Sequence, residues 1–309
     1  VTTPAAPLPV SWYVEHVVIP EYAVPGKRLG RQVRHDSRNR LYPHVARGRK
    51  LTSQLHARRI AILDQGDVGS CTGNMAVGAC GTDPLFASVI TRTAAANLAE
   101  PLALAVYSGA ETLDGDGPYP PQDNGSTGPS AAQVLKNMGL ISGYTHCFSM
   151  AEVLDALEDG PVGIGSNWYD SMDSPDSSGL VAISKNASVR GGHEYLCRGK
   201  DVAKQLVYLD NSWGTSWGAQ GSFAYSWATL ERLLGEQGDG TVPAPLSQPA
   251  PVPVPVPVPV PTPVPVPGAN ADDVTLANAV TGWASARHAG SNATAAKATR
   301  TWLHAKGFM

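Results

Sequence analysis

Two short segments, more than a hundred positions apart, hold side chains suited to thiol-based acyl transfer. The first is Gln65-Gly66-Asp67-Val68-Gly69-Ser70-Cys71-Thr72-Gly73-Asn74; the second is Asn211-Ser212-Trp213-Gly214-Thr215-Ser216-Trp217-Gly218, preceded by Gly191-Gly192-His193. They supply a nucleophile, an imidazole base, an amide to orient that base and a second amide to hold an oxyanion. A Gly-Ser-Cys turn that opens a helix puts the Cys71 sulfur at the positive end of the helix dipole, which favours thiolate. A lone cysteine is more often a buried apolar residue, but the flanking glycines and Gln65 argue for chemistry at Cys71. His193 enters a strand-like run and could serve as base and then as acid to the leaving amine. Asn211 can accept the other imidazole N–H and fix the tautomer. Trp213 would shield that hydrogen bond from water.

These residues need two kinds of element around them. Arg59-Ile60-Ala61-Ile62-Leu63 is a short apolar run, and a helix starts near Ser70 or Cys71 and ends by Pro84. Helical spacing returns over 85–113 through Ala94, Leu98, Leu102 and Ala105. Asp114 to Gly128 is dense in Gly, Pro and Asp and reads as a loop; its acids lack the pattern of a calcium site. Helices are expected from Pro129 to Met138 and from Met150 to Asp159, the latter with Ser149 as N-cap and Gly160 as terminator. Strand patterns then follow at 162–165, 193–197, 205–209 and 221–225. Helices first and strands later mean α+β segregation, not alternating units.

With these motifs in place, the chain resembles the papain family of cysteine peptidases. Gln65 to Cys71 matches that family's nucleophile segment, Asn211 to Gly218 its asparagine segment, and the order Gln, Cys, His, Asn is the family's; the match covers about 55–235. The resemblance implies a two-lobed fold, with Cys71 on a helical lobe and His193 and Asn211 on a strand-rich lobe. It makes Cys71 the nucleophile, His193 its ion-pair partner and Asn211 the residue that orients His193. The Gln65 side chain and the Cys71 N–H become the oxyanion hole. Gly69 lines the cleft beside the scissile residue, Trp217 the leaving-group side, and Gly128 the wall that meets substrate backbone. Four positions depart from the family. Val68 replaces a disulfide cysteine, Thr72 an aromatic and Gly192 an acid. Glu194 stands where a small residue is common, and strand alternation points it away from His193. The pattern is nearer to bacterial or phage members, as is a composition rich in Ala, Pro, Val and Gly.

The implied activity is hydrolysis of peptide or isopeptide bonds through an acyl-enzyme, on a polypeptide or peptidoglycan-peptide substrate, with no metal or organic cofactor. Two other readings use the same residues: a structural or binding protein of a phage particle or surface assembly that keeps the fold, and a transferase that passes the acyl group to an amine.

Composition sets the surroundings. The 309 residues carry a net charge of −3. Residues 27–59 are strongly basic, with Asp36 as their one acid. No aromatic interleaving accompanies this run, so it reads as a solvated arm around a mildly acidic body and not as a nucleic-acid site. Cys71, Cys80, Cys147 and Cys197 form no Cys-x-x-Cys pair, which argues against zinc, and are too few for a disulfide scaffold. Excluding Cys71 leaves room for at most one bridge. The expected domains are an extended basic arm at 1–50, a papain-like domain at 51–241, a linker at 242–267 and a helical hairpin at 268–309. Pro249–Pro267 is nearly a Pro-Val repeat; as polyproline II at about 3.1 Å per residue it would reach roughly 60 Å. The hairpin is too small to fold well alone and is expected to dock on a partner or self-associate. Val1 to Pro20 does not read as a secretory signal, and no apolar run is long enough to span a membrane. Synthesis in the cytoplasm is expected, with virion association or release onto a cell wall as the settings for action.

Overall fold

A computed structural model describes residues 14–17, 19–22, 24–36, 39 and 42–246. The Pro-Val repeat and the expected hairpin at 268–309 lie outside the described residues. The chain opens with a small antiparallel ribbon, β1 (Val14–Val17) and β2 (Val33–Asp36). Next come β3 (Gln54–Leu55) and the helical lobe: α1 (Cys71–Cys80), α2 (Leu85–Val89), α3 (Glu100–Asp114) and α4 (Gly128–Asn137). The second lobe holds β4 (Gly143–Cys147), α5 (Met150–Ala156), β5 (Val162–Tyr169), β6 (Val189–Asp201), β7 (Leu206–Asp210), β8 (Ser222–Ser226), α6 (Trp227–Gly235) and β9 (Asp239–Ala244). Its antiparallel sheet runs β4-β9-β5-β6-β7-β8, with β3 against β6.

Each lobe has its own apolar core. One gathers Met75, Leu102, Val106, Val134 and Leu135 from the helices; the other gathers Leu157, Ile164, Trp168, Tyr195, Phe223 and Leu230 around the sheet. Every residue of α1 is buried, as suits a helix that runs through the middle of a molecule and has no solvent face. Gly73 lets it lie directly on α3, because a Cβ there would strike the Ala103 carbonyl. Capping follows the sequence signals. The Thr127 side chain accepts from Ser130 N–H at the start of α4, and Ser149 and Glu152 form a reciprocal capping box on α5.

Several expectations need revision. The helical spacing over 85–113 is two helices with a break between them, and Pro101 sits in the first turn of the second. β9 extends through Ala244, so the first residues of the expected linker pair with β4. All four cysteines are free and buried. Most of all, the basic arm is anchored on the body and is not a free solvated segment. Leu29 is fully buried in the core of the strand lobe, and Arg31 is 5% exposed. Arg28 pairs with Glu21 of the arm itself, and the cations pair with acids of the body: Arg28 with Asp123, Arg34 with Asp116, Arg47 and Arg49 with Asp155 and Asp159, Arg58 with Asp210. Among the described residues no helix is long and apolar enough to cross a membrane.

Candidate active site

Cys71 is the first residue of α1, and Ser70 before it makes no side-chain cap. No side chain therefore caps the N–H groups of that first turn, and the Thr72 N–H lies against the sulfur. His193 lies in β6, opposite Ser166 of β5, and Asn211 follows β7 directly. The His193 Nε2 donates to Asn211 Oδ1 over 2.7 Å. Asn211 Oδ1 also accepts from the Ser212 N–H at 2.8 Å, so the amide cannot flip without losing a bond. With the proton held on Nε2, Nδ1 presents a lone pair, and that buried atom has no hydrogen-bond partner. Two indoles fix the ring. Trp213 stacks on it at 5.0 Å between centroids and 22°, and Trp168 meets it edge-on at 5.0 Å.

Gln65 comes to the same place. Its Oε1 accepts from the Ser212 hydroxyl at 2.5 Å, and its Nε2 donates to Val68 O at 2.8 Å and to Leu29 O at 3.4 Å. Ser212 thus orients both amides, one through its backbone and one through its side chain. Its part was not read from the sequence, although it lies inside the Asn-Ser-Trp-Gly motif. We expect Ser212→Ala to lower kcat by roughly tenfold with KM little changed, a fraction of what losing an oxyanion donor outright costs. Steady-state kinetics on a peptide amide would check this, and an unchanged kcat would deny Ser212 the role.

The cleft between the lobes is filled by the arm. Trp213 Nε1 donates to Arg28 O at 3.0 Å, Gly30 N and Arg31 N both donate to Gly192 O at 3.1 and 3.0 Å, and Ser126 N donates to Gly30 O at 2.9 Å. Gln32 N then donates to Ser126 O at 2.8 Å, a parallel bridge between residues 31 and 126. Gly69 lies against Gly30, as a cleft-lining residue would. Trp217 borders a cavity of about 370 Å³ together with Pro25, Gly26 and Lys27. Gly128 is placed differently from the expectation. It begins α4 behind Glu194, where a Cβ would strike the carboxylate, and Ser126 is the residue that pairs with extended backbone in the cleft.

Dry surroundings set the protonation of the pair. Burial pushes the Cys71 thiol far up, Glu194 and Glu21 add to this, and the backbones of Glu194 and Thr72 oppose it through hydrogen bonds. That contact carries the sulfur to the peptide that follows His193, across the cleft. Burial also lowers His193 to about 3, against the hydrogen bond that it donates to Asn211, with Arg190 assisting the fall. Burial under the arm thus favours the uncharged form of both groups. Among the described residues no group of three His, Cys, Asp or Glu is arranged to hold a metal.

No family model and no curated protein matches the sequence. Solved structures do match. Xylellain, a cysteine protease from Xylella fastidiosa, aligns over 75% of this chain and 100% of its own with a TM-score of 0.56 and 17% identity. ProCathepsin B S9 from Trypanosoma congolense aligns over 72% and 88% with a TM-score of 0.51 and 11% identity. The two lobes, their shared cleft and these matches agree: the chain has the papain-like α+β fold.

Proposed function

We propose that this chain is a papain-like cysteine peptidase held latent by its own N-terminal arm. The observation that carries the proposal is the orientation of His193: Asn211 holds its Nε2 proton, leaving Nδ1 as the base for Cys71 at the start of α1. In the reaction Nδ1 takes the thiol proton and the sulfur adds to a peptide carbonyl. The oxyanion rests on the Gln65 amide and the Cys71 N–H, and the imidazolium protonates the leaving amine. Water then repeats the sequence on the acyl-enzyme. The scissile bond is a peptide or isopeptide bond, and the residues that follow β9 tether the enzyme to an assembly or surface.

The arm blocks this chemistry without being a substrate. Its N-terminal part, at Lys27, lies by Trp217, where a leaving group would sit, and its C-terminal part lies by Ser126. The arm therefore runs opposite to a cleavable peptide, while the Leu29 carbonyl occupies the Gln65 amide.

Acid should open it. The covered His193 titrates near 3, below its ordinary value of 6.5, so the covered state binds fewer protons than the open one. The contribution of His193 to its stability is complete above about 6.5 and declines as pH falls toward 3. The downstream anchor outlasts it. Despite burial, hydrogen bonds from His44 and Arg47 and the charge of Arg49 hold Asp155 at about 2. The test is alkylation of the full chain by an epoxysuccinyl peptide, followed by mass spectrometry. We expect one adduct, on Cys71, forming several-fold faster at pH 5 than at pH 7 and absent in His193→Ala. Slow labelling spread over Cys80, Cys147 and Cys197, indifferent to His193, would favour a binding protein that only keeps the fold.

A further inference from the structure

The arm inserts one long side chain into the strand lobe, and the hole it fills is built from a missing side chain. Gly165 of β5 stands directly opposite Glu194 of β6 on one side and Asp239 of β9 on the other. Cross-strand neighbours point to the same face of a sheet. The three positions thus make a slot with an acidic side chain on each wall and nothing between; burial and the neighbouring Asp239 push Glu194 up to about 8, against Arg31, so Asp239 is the charged wall. The Arg31 side chain, 2% exposed, lies in it. Its Nη2 meets Asp239 Oδ1 at 2.5 Å and the Gln237 carbonyl at 2.9 Å, and its Nε is 3.7 Å from Glu194 Oε2. A Cβ on Gly165 would collide with the guanidinium.

This slot opens beside the reacting groups. Glu194 follows His193, and the backbone at residue 31 is bracketed by Ser126 and Gly192. In the reversed arm, nearly the same number of bonds separates the Leu29 carbonyl from the Arg31 Cα as separates, in a forward peptide, the acylated carbonyl from the Cα of the preceding residue. When the arm leaves, that preceding residue takes over the slot.

We propose that this slot is the specificity pocket of the cleft and selects substrates with an arginine, and less strongly a lysine, immediately before the acylated residue. The inference rests on the peptidase reading. An apolar side chain would leave the half-buried Asp239 without a cation beside it. The planar guanidinium serves Asp239 and the Gln237 carbonyl together, which a single ammonium does less well. Arg31 is then a stand-in for the substrate, and the arm is released only by giving up the same contacts that a substrate makes.

The experiment has two arms. The full chain at mild acid is offered acetyl-X-Ala-coumarylamides with X as Arg, Lys, norleucine or Glu. Expected is a kcat/KM order of Arg, Lys, norleucine, Glu, with Arg at least tenfold above norleucine, and a collapse of that ratio in Asp239→Asn. A preference for norleucine, or no ranking, overturns the pocket while turnover upholds the peptidase. The second arm needs no turnover. In Arg31→Ala, n-propylguanidinium should raise Tm and n-propylurea should not, and Asp239→Asn should abolish the difference. Equal effects of the two additives overturn the pocket. Absence of both turnover and a Cys71 adduct, with the guanidinium effect intact, overturns the peptidase reading and leaves a cation slot. If Arg31→Ala does not fold, the substrate ranking decides.

Discussion

Hydrolysis of a peptide amide should fall by at least about three orders of magnitude in Cys71→Ala, and by a similar factor in His193→Ala, because a nucleophile and its base act as a unit. The double variant should be little worse than either single one. Asn211→Ala should be milder, on the order of tenfold to a hundredfold, since orientation is only part of what an imidazole base needs. The geometry supports that ranking. Asn211 sets the tautomer of His193 through one 2.7 Å bond, but the plane of the ring is held independently by Trp213 and Trp168. Loss of the amide therefore frees the tautomer more than the position. The check is kcat/KM for the four variants beside their Tm values. A double variant far below the singles would mean that the two residues act separately. Full activity in His193→Ala would remove the base from the mechanism altogether.

The candidate site residues were legible because chemistry restricts residue type and order. Gln65, Cys71, His193 and Asn211 stand in short motifs, and the fold brings them to one cleft. Elements with weak local signals were harder to read. β4 is Gly-Tyr-Thr-His-Cys and β9 contains Pro243, and neither alternates cleanly; only their mutual pairing makes them strands. α6 did offer a signal, in Leu230, Leu233 and Leu234 at helical spacing, and could have been found. The arm could not. Its composition is polar and cationic, which describes a solvated segment equally well. What pins it is one apolar residue, Leu29, and partners such as Asp239 that lie 208 positions from Arg31. Glu194 shows the same limit. Alternation turned it away from His193, whose shift is set by burial, Asn211 and Arg190. Its role came into view only with the side chain that the distant arm sets beside it.

Gly30→Ala should unlock the cleft at neutral pH. Gly30 has φ of 144°, a conformation that L side chains rarely adopt, and a Cβ there would run into the Gly69 carbonyl. The obstacle is backbone, so no rotamer change relieves it. Nor can the arm shift the other way, because the Gly30 carbonyl already lies against Gly125, where a Cβ would strike it. Residues 29–32 must lift, and the fully buried Leu29 goes with them, a loss on the order of 2 kcal/mol. At 1.4 kcal/mol per factor of ten, that corresponds to a rise of roughly thirtyfold in the open population. Arg47 and Arg49 stay bound to Asp155 and Asp159, so the release is local and the lobes keep their cores. Alkylation of Cys71 at pH 7 should accelerate by at least tenfold, Tm should fall by a few degrees, and the acid dependence of labelling should flatten, because an uncovered His193 no longer resists protonation. A lower Tm with labelling as slow as before would mean that the arm is structural packing and that access to Cys71 is governed elsewhere.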